Sequence, residues 1–181
     1  TTADADEVKI GLIAMLTGDN PLNGELMQQA VQLAVDEYNA KGGILGGKQI
    51  KLLVEDDQTL QDIAVTCVEK LASEGVVGIV GPHRSTNALA VEATVKKHGV
   101  PSLTGGTTPA ITKLDNDYLF RCSASDAIFA AAAAAFAIDD LGAKKIGMLY
   151  NNDDFGSGAE GVVREYCESR GIAYVAEGHN T

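Results

Sequence analysis

The sequence predicts an α/β protein built on a parallel sheet. Short, nearly continuous apolar runs of the kind that form strands buried on both faces recur along the chain: VKIGLIAM at 8–15, QIKLLVE at 49–55, VVGIV at 76–80 and KIGMLY at 145–150. Between them lie stretches with apolar residues at helical spacing, most of them closed by a glycine, which tolerates the left-handed conformation at a helix end. Strand and helix alternate with short connections, the pattern of a parallel sheet covered by helices.

The first strand, 8–15, passes through a turn at 16–24 into a helix that runs to about Lys41. Leu26, Ala30, Ala34 and Tyr38 recur every four residues, with Met27, Val31 and Val35 beside them, and are expected to form its buried stripe. Gly42 and Gly43 stop it. The second strand, 49–55, ends in Asp56-Asp57. The next helix is expected to open at Thr59, with Asp62 three residues on as a variant capping box. It should bury Ile63, Ala64, Cys67, Val68 and Leu71 and close at Gly75.

The third strand, 76–80, runs into Gly81-Pro82-His83-Arg84-Ser85-Thr86. The helix beyond carries Ala88, Val91 and Val95 on one face and ends at Gly99. The fourth strand, 100–103, runs into Thr104-Gly105-Gly106-Thr107-Thr108-Pro109. Residues 117–122 read as extended, and Ser123 or Ser125 caps an alanine-rich helix that ends at Gly142. Its small side chains suit close packing all round. A strand at 145–150, a polar loop at 151–158 and a helix to Arg170 follow, the helix burying Val162, Val163, Tyr166 and Cys167. Gly171 stops it before a last strand at 172–176. Residues 118–124 are the expected crossing between lobes. That gives a first ligand-binding lobe at 1–121 and the truncated start of a second at 122–181.

Bulk properties narrow the partners. Net charge is −11 and the sequence pI is near 4.6, which argues against nucleic acid, because phosphate binding needs clustered Lys and Arg. The three cysteines match no zinc or redox spacing, and Cys67 and Cys167 fall on apolar helix faces as small core residues. The longest apolar run, 127–138, is too short to span a bilayer, which takes about 20 residues. The opening TTADADE has no signal-peptide pattern and fits a cytoplasmic or a mature exported protein.

Catalytic and cofactor patterns are sparse. There is no G-x-S-x-G, H-E-x-x-H or Walker A sequence, and the histidines are His83, His98 and His179. His98 ends a helix, where an imidazolium suits the dipole, and His179 sits in a polar tail. The pairs Asp56-Asp57 and Asp153-Asp154 fall at strand-to-helix turns and read as turn or cap chemistry rather than as metal ligands. Gly156-Ser157-Gly158-Ala159-Glu160-Gly161 satisfies G-x-G-x-x-G, with Glu177 about 20 residues on, as a dinucleotide fingerprint would have it. However, five residues separate strand and glycines, and two of them are carboxylates that would repel a diphosphate. No cofactor and no metal are expected.

What remains is the pair of hydroxyl-bearing loops after the third and fourth strands. On adjacent parallel strands they reach the same sheet edge, where Ser85, Thr86, Gly105, Gly106, Thr107 and Thr108 would hold a small carboxylate. Gly106 would let the backbone approach it closely.

Five segments in this order, KIGLIAMLTGDNPLNGE, DEYNAKGGILGGKQIKLLVEDD, GPHRST, GVPSLTGGTTPAIT and KIGMLYNNDDFGSG, resemble the first half of the type I periplasmic substrate-binding proteins. These are the Leu/Ile/Val-binding group that serves ABC importers. The resemblance runs from Val8 to the C-terminus. It implies a Rossmann-like parallel-sheet lobe and an incomplete second α/β lobe of the type I periplasmic-binding fold, closing on a ligand between them. It also implies an extracytoplasmic protein without enzymatic activity, a membrane permease as partner, and an amino acid of branched-chain type or a related small carboxylate as ligand.

By that resemblance Ser85 and the turn from Gly106 to Thr108 hold the ligand carboxylate, and Phe155 packs on it from the second lobe. Asn23 lines the cleft, and Arg84 and His83 add a cationic rim that would suit a more acidic or aromatic-acid ligand. Some members carry a disulfide near this cleft, at positions that are Thr59 and Arg84 here. Two alternatives stand beside this reading: the ligand-sensing lobe of a signalling receptor or amide-type regulator, and an NAD(P)-dependent Rossmann oxidoreductase using the Gly156 turn.

Overall fold

A computed structural model describes residues 7–180. The acidic opening of the chain lies outside them. Five strands, β1 (Glu7–Ala14), β2 (Gln49–Asp56), β3 (Ile79–Val80), β4 (Ser102–Thr104) and β5 (Leu119–Arg121), form one parallel sheet in the order β2-β1-β3-β4-β5. The helices are α1 (Pro21–Ala40), α2 (Gln61–Ser73), α3 (Ser85–Ala90), α4 (Glu92–His98), α5 (Asp126–Ala135) and α6 (Asp154–Ser169). A second, two-stranded parallel sheet pairs β6 (Lys145–Asn151) with β7 (Ala173–His179).

β1 is the spine. It pairs with β2 over its whole length, from Glu7↔Gln49 to Ala14↔Asp56, and with β3 on its other side, and Leu12 and Ile13 are fully buried. The larger core lies between this sheet and α2, α3 and α4, where Ala64, Val68, Leu71, Ala88, Val91 and Val95 have no exposed surface. The expected inner faces of these helices are therefore the observed ones, although Val91 divides the helix after the third strand into α3 and α4. A smaller core of Ala134, Ile138, Val163 and Cys167 joins α5 to α6. Cys67 and Cys167 are buried, as their helix positions predict.

Several expectations are corrected. The buried stripe of α1 is not Leu26, Ala30, Ala34 and Tyr38: Leu26 and Tyr38 are 53% and 55% exposed, whereas Val35 is 7% exposed. The helix meets the sheet through Gly24, where a Cβ would stand 2.1 Å from the Met15 carbonyl oxygen. Of the expected stripe, Met27, Val31 and Val35 face inward beside Gly24, and Leu26, Ala30, Ala34 and Tyr38 do not. Asn39 ends the same face, donating from Nδ2 to the Ile50 carbonyl (2.9 Å) and accepting the Ile50 N–H at Oδ1 (2.7 Å).

The capping box at Thr59 does not form. Gln58 and Thr59 both adopt positive φ (51° and 61°), their N–H groups are taken by Asp56 and Asp57, and α2 begins at Gln61. The alanine-rich helix is not packed all round. Ser125 caps it, Ala134 faces α6, and Ile128 and Phe129 are more than half exposed. A π-turn at Phe136–Asp140 continues α5 before Gly142 ends it in the left-handed conformation. The polar loop after β6 is only residues 152–153, since α6 starts at Asp154. His179 lies in β7 rather than in a tail, its Nδ1 3.0 Å from the Tyr150 carbonyl oxygen.

Candidate functional site

The first crossover from β1 leads out to β2, and every later one leads the opposite way through β3, β4 and β5. Such a reversal leaves a crevice at the carboxyl ends of the two strands where it occurs, here β1 and β3. A cavity of about 750 Å³ opens there. Its walls come from the loops after β1 (Met15, Asp19, Asn20), β3 (His83, Arg84, Ser85) and β4 (Gly105, Gly106, Thr107), with Asn23 from the first turn of α1. Ser123 follows β5, and Asn151, Asp153 and Phe155 close the cavity from the β6–α6 connection.

Most of the predicted site residues therefore meet: Ser85, Gly105, Gly106, Thr107, Arg84, Asn23 and Phe155 share one cavity. Thr86 and Thr108 do not line it. The Thr86 hydroxyl is buried without a hydrogen-bond partner. Thr108 is 3% exposed and directs its Oγ1 at the first turns of α6, 2.7 Å from where a Cβ on Gly158 would stand.

Ser85 is the hub. Its Oγ accepts the backbone N–H groups of Thr107 (3.1 Å) and Thr108 (3.2 Å), so the loop after β4 is bonded to the loop after β3. Two accepted bonds fill the lone pairs of a hydroxyl and leave its own proton to donate into the cavity. The Gly106 N–H is also committed, to Thr104 Oγ1 at 3.0 Å, so the N–H groups of Gly106, Thr107 and Thr108 are taken up by the hydroxyls of Thr104 and Ser85. The close approach at Gly106 is likewise internal: a Cβ there would lie 3.1 Å from Ser85 Cα and 2.8 Å from Ile111 Cδ1. Gly105 leaves room for the His83 ring, whose Nδ1 sits 2.3 Å from the missing Cβ position.

Carboxylates shape the rest. Asp56 Oδ1 accepts the N–H of Leu16 (2.9 Å) and of Thr17 (3.2 Å), and its Oδ2 accepts the Thr17 hydroxyl, which folds the loop carrying Asp19 and Asn20 over the cavity. Burial would raise the Asp56 pKa, but the Thr17 hydroxyl and the N–H groups of Gln58, Thr17 and Leu16 outweigh it and hold the carboxyl below its ordinary range. Asp153 caps α6 through the Gly156 N–H (2.8 Å). Both aspartate pairs thus supply turn and cap bonds, and no cluster of potential metal ligands occurs among the described residues.

Behind Thr107, Asp126 is 5% exposed with Oδ2 unpartnered. Burial pushes its carboxyl up, against the pull of a hydrogen bond with Thr107 and the charge of Arg121. The cationic rim is not free. Arg84 Nη1 lies 3.0 Å from Asp19 Oδ2, and its Nη2 lies 3.1 Å from Asp153 Oδ2.

The G-x-G-x-x-G sequence lies inside α6, not in the turn before it, and Asp153 already occupies the helix N-terminus. A fingerprint for a diphosphate needs its first glycine in that turn and the N-terminus open. Asp19, Asn20, Ser123, Asn151 and Asp153 were not anticipated as site residues. Asp153 alone carries a local signal, as a cap one residue before a helix.

Fold and cavity together describe a parallel α/β sheet with a pocket at its switch point, walled on the far side by residues of the β6–α6 connection. The periplasmic binding protein family model matches residues 7–180, and the chain belongs to that family. It is 31% identical over 170 residues to a Leu/Ile/Val-binding protein of Rhizobium johnstonii, covering 93% of this chain and 46% of that one.

Among solved structures, it resembles the isoleucine complex of a branched-chain amino acid transporter substrate-binding protein from Streptococcus pneumoniae (TM-score 0.86, 30% identity, 97% and 49% of the two chains). It also resembles an ABC transporter solute-binding protein from Rhodopseudomonas palustris in complex with 3,4-dihydroxybenzoic acid (TM-score 0.85, 25% identity, 96% and 47%). The chain spans about half the length of these relatives, and its fold is that of the type I periplasmic binding proteins. No helix among the described residues is long and apolar enough to cross a membrane.

Proposed function

We propose that this chain is the first part of an extracytoplasmic solute receptor for an ABC-type importer. It binds an amino acid or a related small carboxylate in the cleft between a lobe at 1–121 and a second lobe that begins at 122, and presents the loaded form to a membrane permease. The relatives' ligands, isoleucine in one and a dihydroxybenzoic acid in another, have a carboxyl group in common.

The observation that carries the reading is Ser85: a hydroxyl 3% exposed, held by two accepted N–H bonds, with its proton left for a ligand oxygen. Preorganised dipoles of this kind hold an anion without net positive charge. Phe155, on the opposite wall, offers an aromatic face to the ligand's apolar part.

The test is calorimetric titration of the full-length protein with isoleucine, leucine and 3,4-dihydroxybenzoate. Ser85→Ala should weaken binding by about 1.5–3 kcal/mol, the worth of a hydrogen bond to a charged group. Undiminished affinity in that variant overturns the assignment.

A further inference from the structure

Arg84 is bonded from both sides of the cleft. Its guanidinium reaches Asp19 in the loop after β1 (3.0 Å) and Asp153 at the start of α6 (3.1 Å), so one side chain connects three of the loops that wall the cavity. The Asp153 half is the better sheltered. The Arg84 and Asp153 side chains are 26% and 19% exposed, against 65% for Asp19. Asp153 divides its two oxygens, Oδ1 to the Gly156 N–H and Oδ2 to Arg84, so the carboxylate that starts α6 also attaches that helix to the first sheet.

Chain position gives this bridge its consequence. Arg84 immediately precedes Ser85, the proposed anion anchor, and Asp153 stands two residues before Phe155, the aromatic group opposite. A fixed guanidinium–carboxylate separation therefore fixes the gap between those two walls. The guanidinium is rigid and planar, and a partly buried pair is screened less than an exposed one. A second contact between the same units, Gly158 against Thr108 and Pro109, is steric and carries no charge.

We propose that Arg84 is a positioning residue of the cleft: through Asp153 it holds the Phe155 wall at a set distance from the Ser85 wall. The proposal deepens the reading of the cleft as a small-carboxylate site and rests on it, yet the clamp exists without ligand and is measured without one.

The experiment is small-angle scattering of the ligand-free full-length protein at 20 mM and 500 mM NaCl, in the wild type and in Arg84→Gln, Arg84→Lys and Asp153→Asn. Asparagine caps a helix as well as aspartate does, so Asp153→Asn removes the charge and keeps the start of α6. The wild type should be most compact at low salt and expand at high salt. Arg84→Gln and Asp153→Asn should show the expanded radius at both concentrations, and Arg84→Lys should recover part of the low-salt compaction. Low-salt curves for Asp153→Asn and Arg84→Gln that superimpose on the wild type overturn the clamp. Failure of the wild type to bind any carboxylate defeats the functional reading instead, and leaves the scattering result standing.

Discussion

The Asn87 side-chain amide donates to Asp57 Oδ2 at 2.8 Å, and both residues are 1% exposed. This one bond fastens α3, and with it Ser85 two residues earlier, to the turn that ends β2. Removing the amide leaves a buried carboxylate oxygen unpaired. Asn87→Ala should therefore destabilise the protein by about 1.5–3 kcal/mol, the range for a bond to a charged group. Urea unfolding monitored by circular dichroism measures it, and a loss under 0.5 kcal/mol contradicts the role.

Asp56 makes stability depend on acid pH. Its carboxyl is held below its ordinary value of 3.8 by bonds that exist only in the folded chain. Such a group contributes stability that is fully present above the unfolded pKa and is lost as pH falls through the lowered folded one. Asp56→Asn should therefore be less stable than wild type at pH 7, with the difference shrinking below about pH 4. Denaturation midpoints at pH 7, 4 and 3 give the comparison; a constant difference refutes it.

Gly158 is where α6 meets the first unit. A Cβ there would stand 2.7 Å from Thr108 Oγ1 and 3.2 Å from Pro109 Cδ. In an isolated helix Gly→Ala is favourable by about 1 kcal/mol, so a melting temperature lowered by Gly158→Ala would report the clash directly. Adding Thr108→Ala should restore stability by removing the struck atom, and the double variant should melt above the single.

The cysteines should separate by reactivity. Burial pushes the Cys67 thiol up to about 11, helped by the nearby carboxylates of Glu55, Asp57 and Asp56, and burial also raises Cys167. Cys122 is exposed. Thiolate is the reactive form, so iodoacetamide at pH 8 should modify Cys122 first and the other two only after denaturation. Peptide mass mapping over time decides it, and early labelling of Cys67 counts against the packing described.

Neutralising both partners of Arg84 should change ligand preference. With Asp19→Asn and Asp153→Asn together, the guanidinium is released into the cleft beside Ser85. Affinity for glutamate relative to glutamine should rise by roughly tenfold, one unit of charge attraction at a partly screened site. Calorimetry with the two isosteric ligands reads the ratio, and an unchanged ratio argues that Arg84 does not face the ligand.

The strands and the inner faces of α2, α3, α4 and α6 were legible because residues such as Val68, Val91 and Cys167 carry both the right polarity and the right period. In α1 the stripe holds at Met27, Val31 and Val35 and fails at Leu26, Ala30, Ala34 and Tyr38, because the helix is drawn in at Gly24 and Asn39, which no hydropathy pattern favours. Thr59 looked like a cap, but the preceding aspartates capture the local N–H groups first. Of the site, the loop residues Ser85, Gly105, Gly106 and Thr107 were visible from their place after adjacent strands. The bridge from Arg84 to Asp153 spans 69 positions, and no local spacing rule reaches that far.

The sheet order β2-β1-β3-β4-β5 is completed at Arg121, before any residue of β6 or α6 is needed. Domains form from the N-terminal end as a chain is synthesised, at about 5–20 residues per second. The 32 positions from Arg121 to Asp153 then correspond to roughly 2–6 s of elongation. Throughout that interval Arg84 has Asp19 but not Asp153. The nascent protein thus passes through a stage in which the Ser85 side of the cavity stands assembled and unopposed, with one of the two Arg84 ion pairs made.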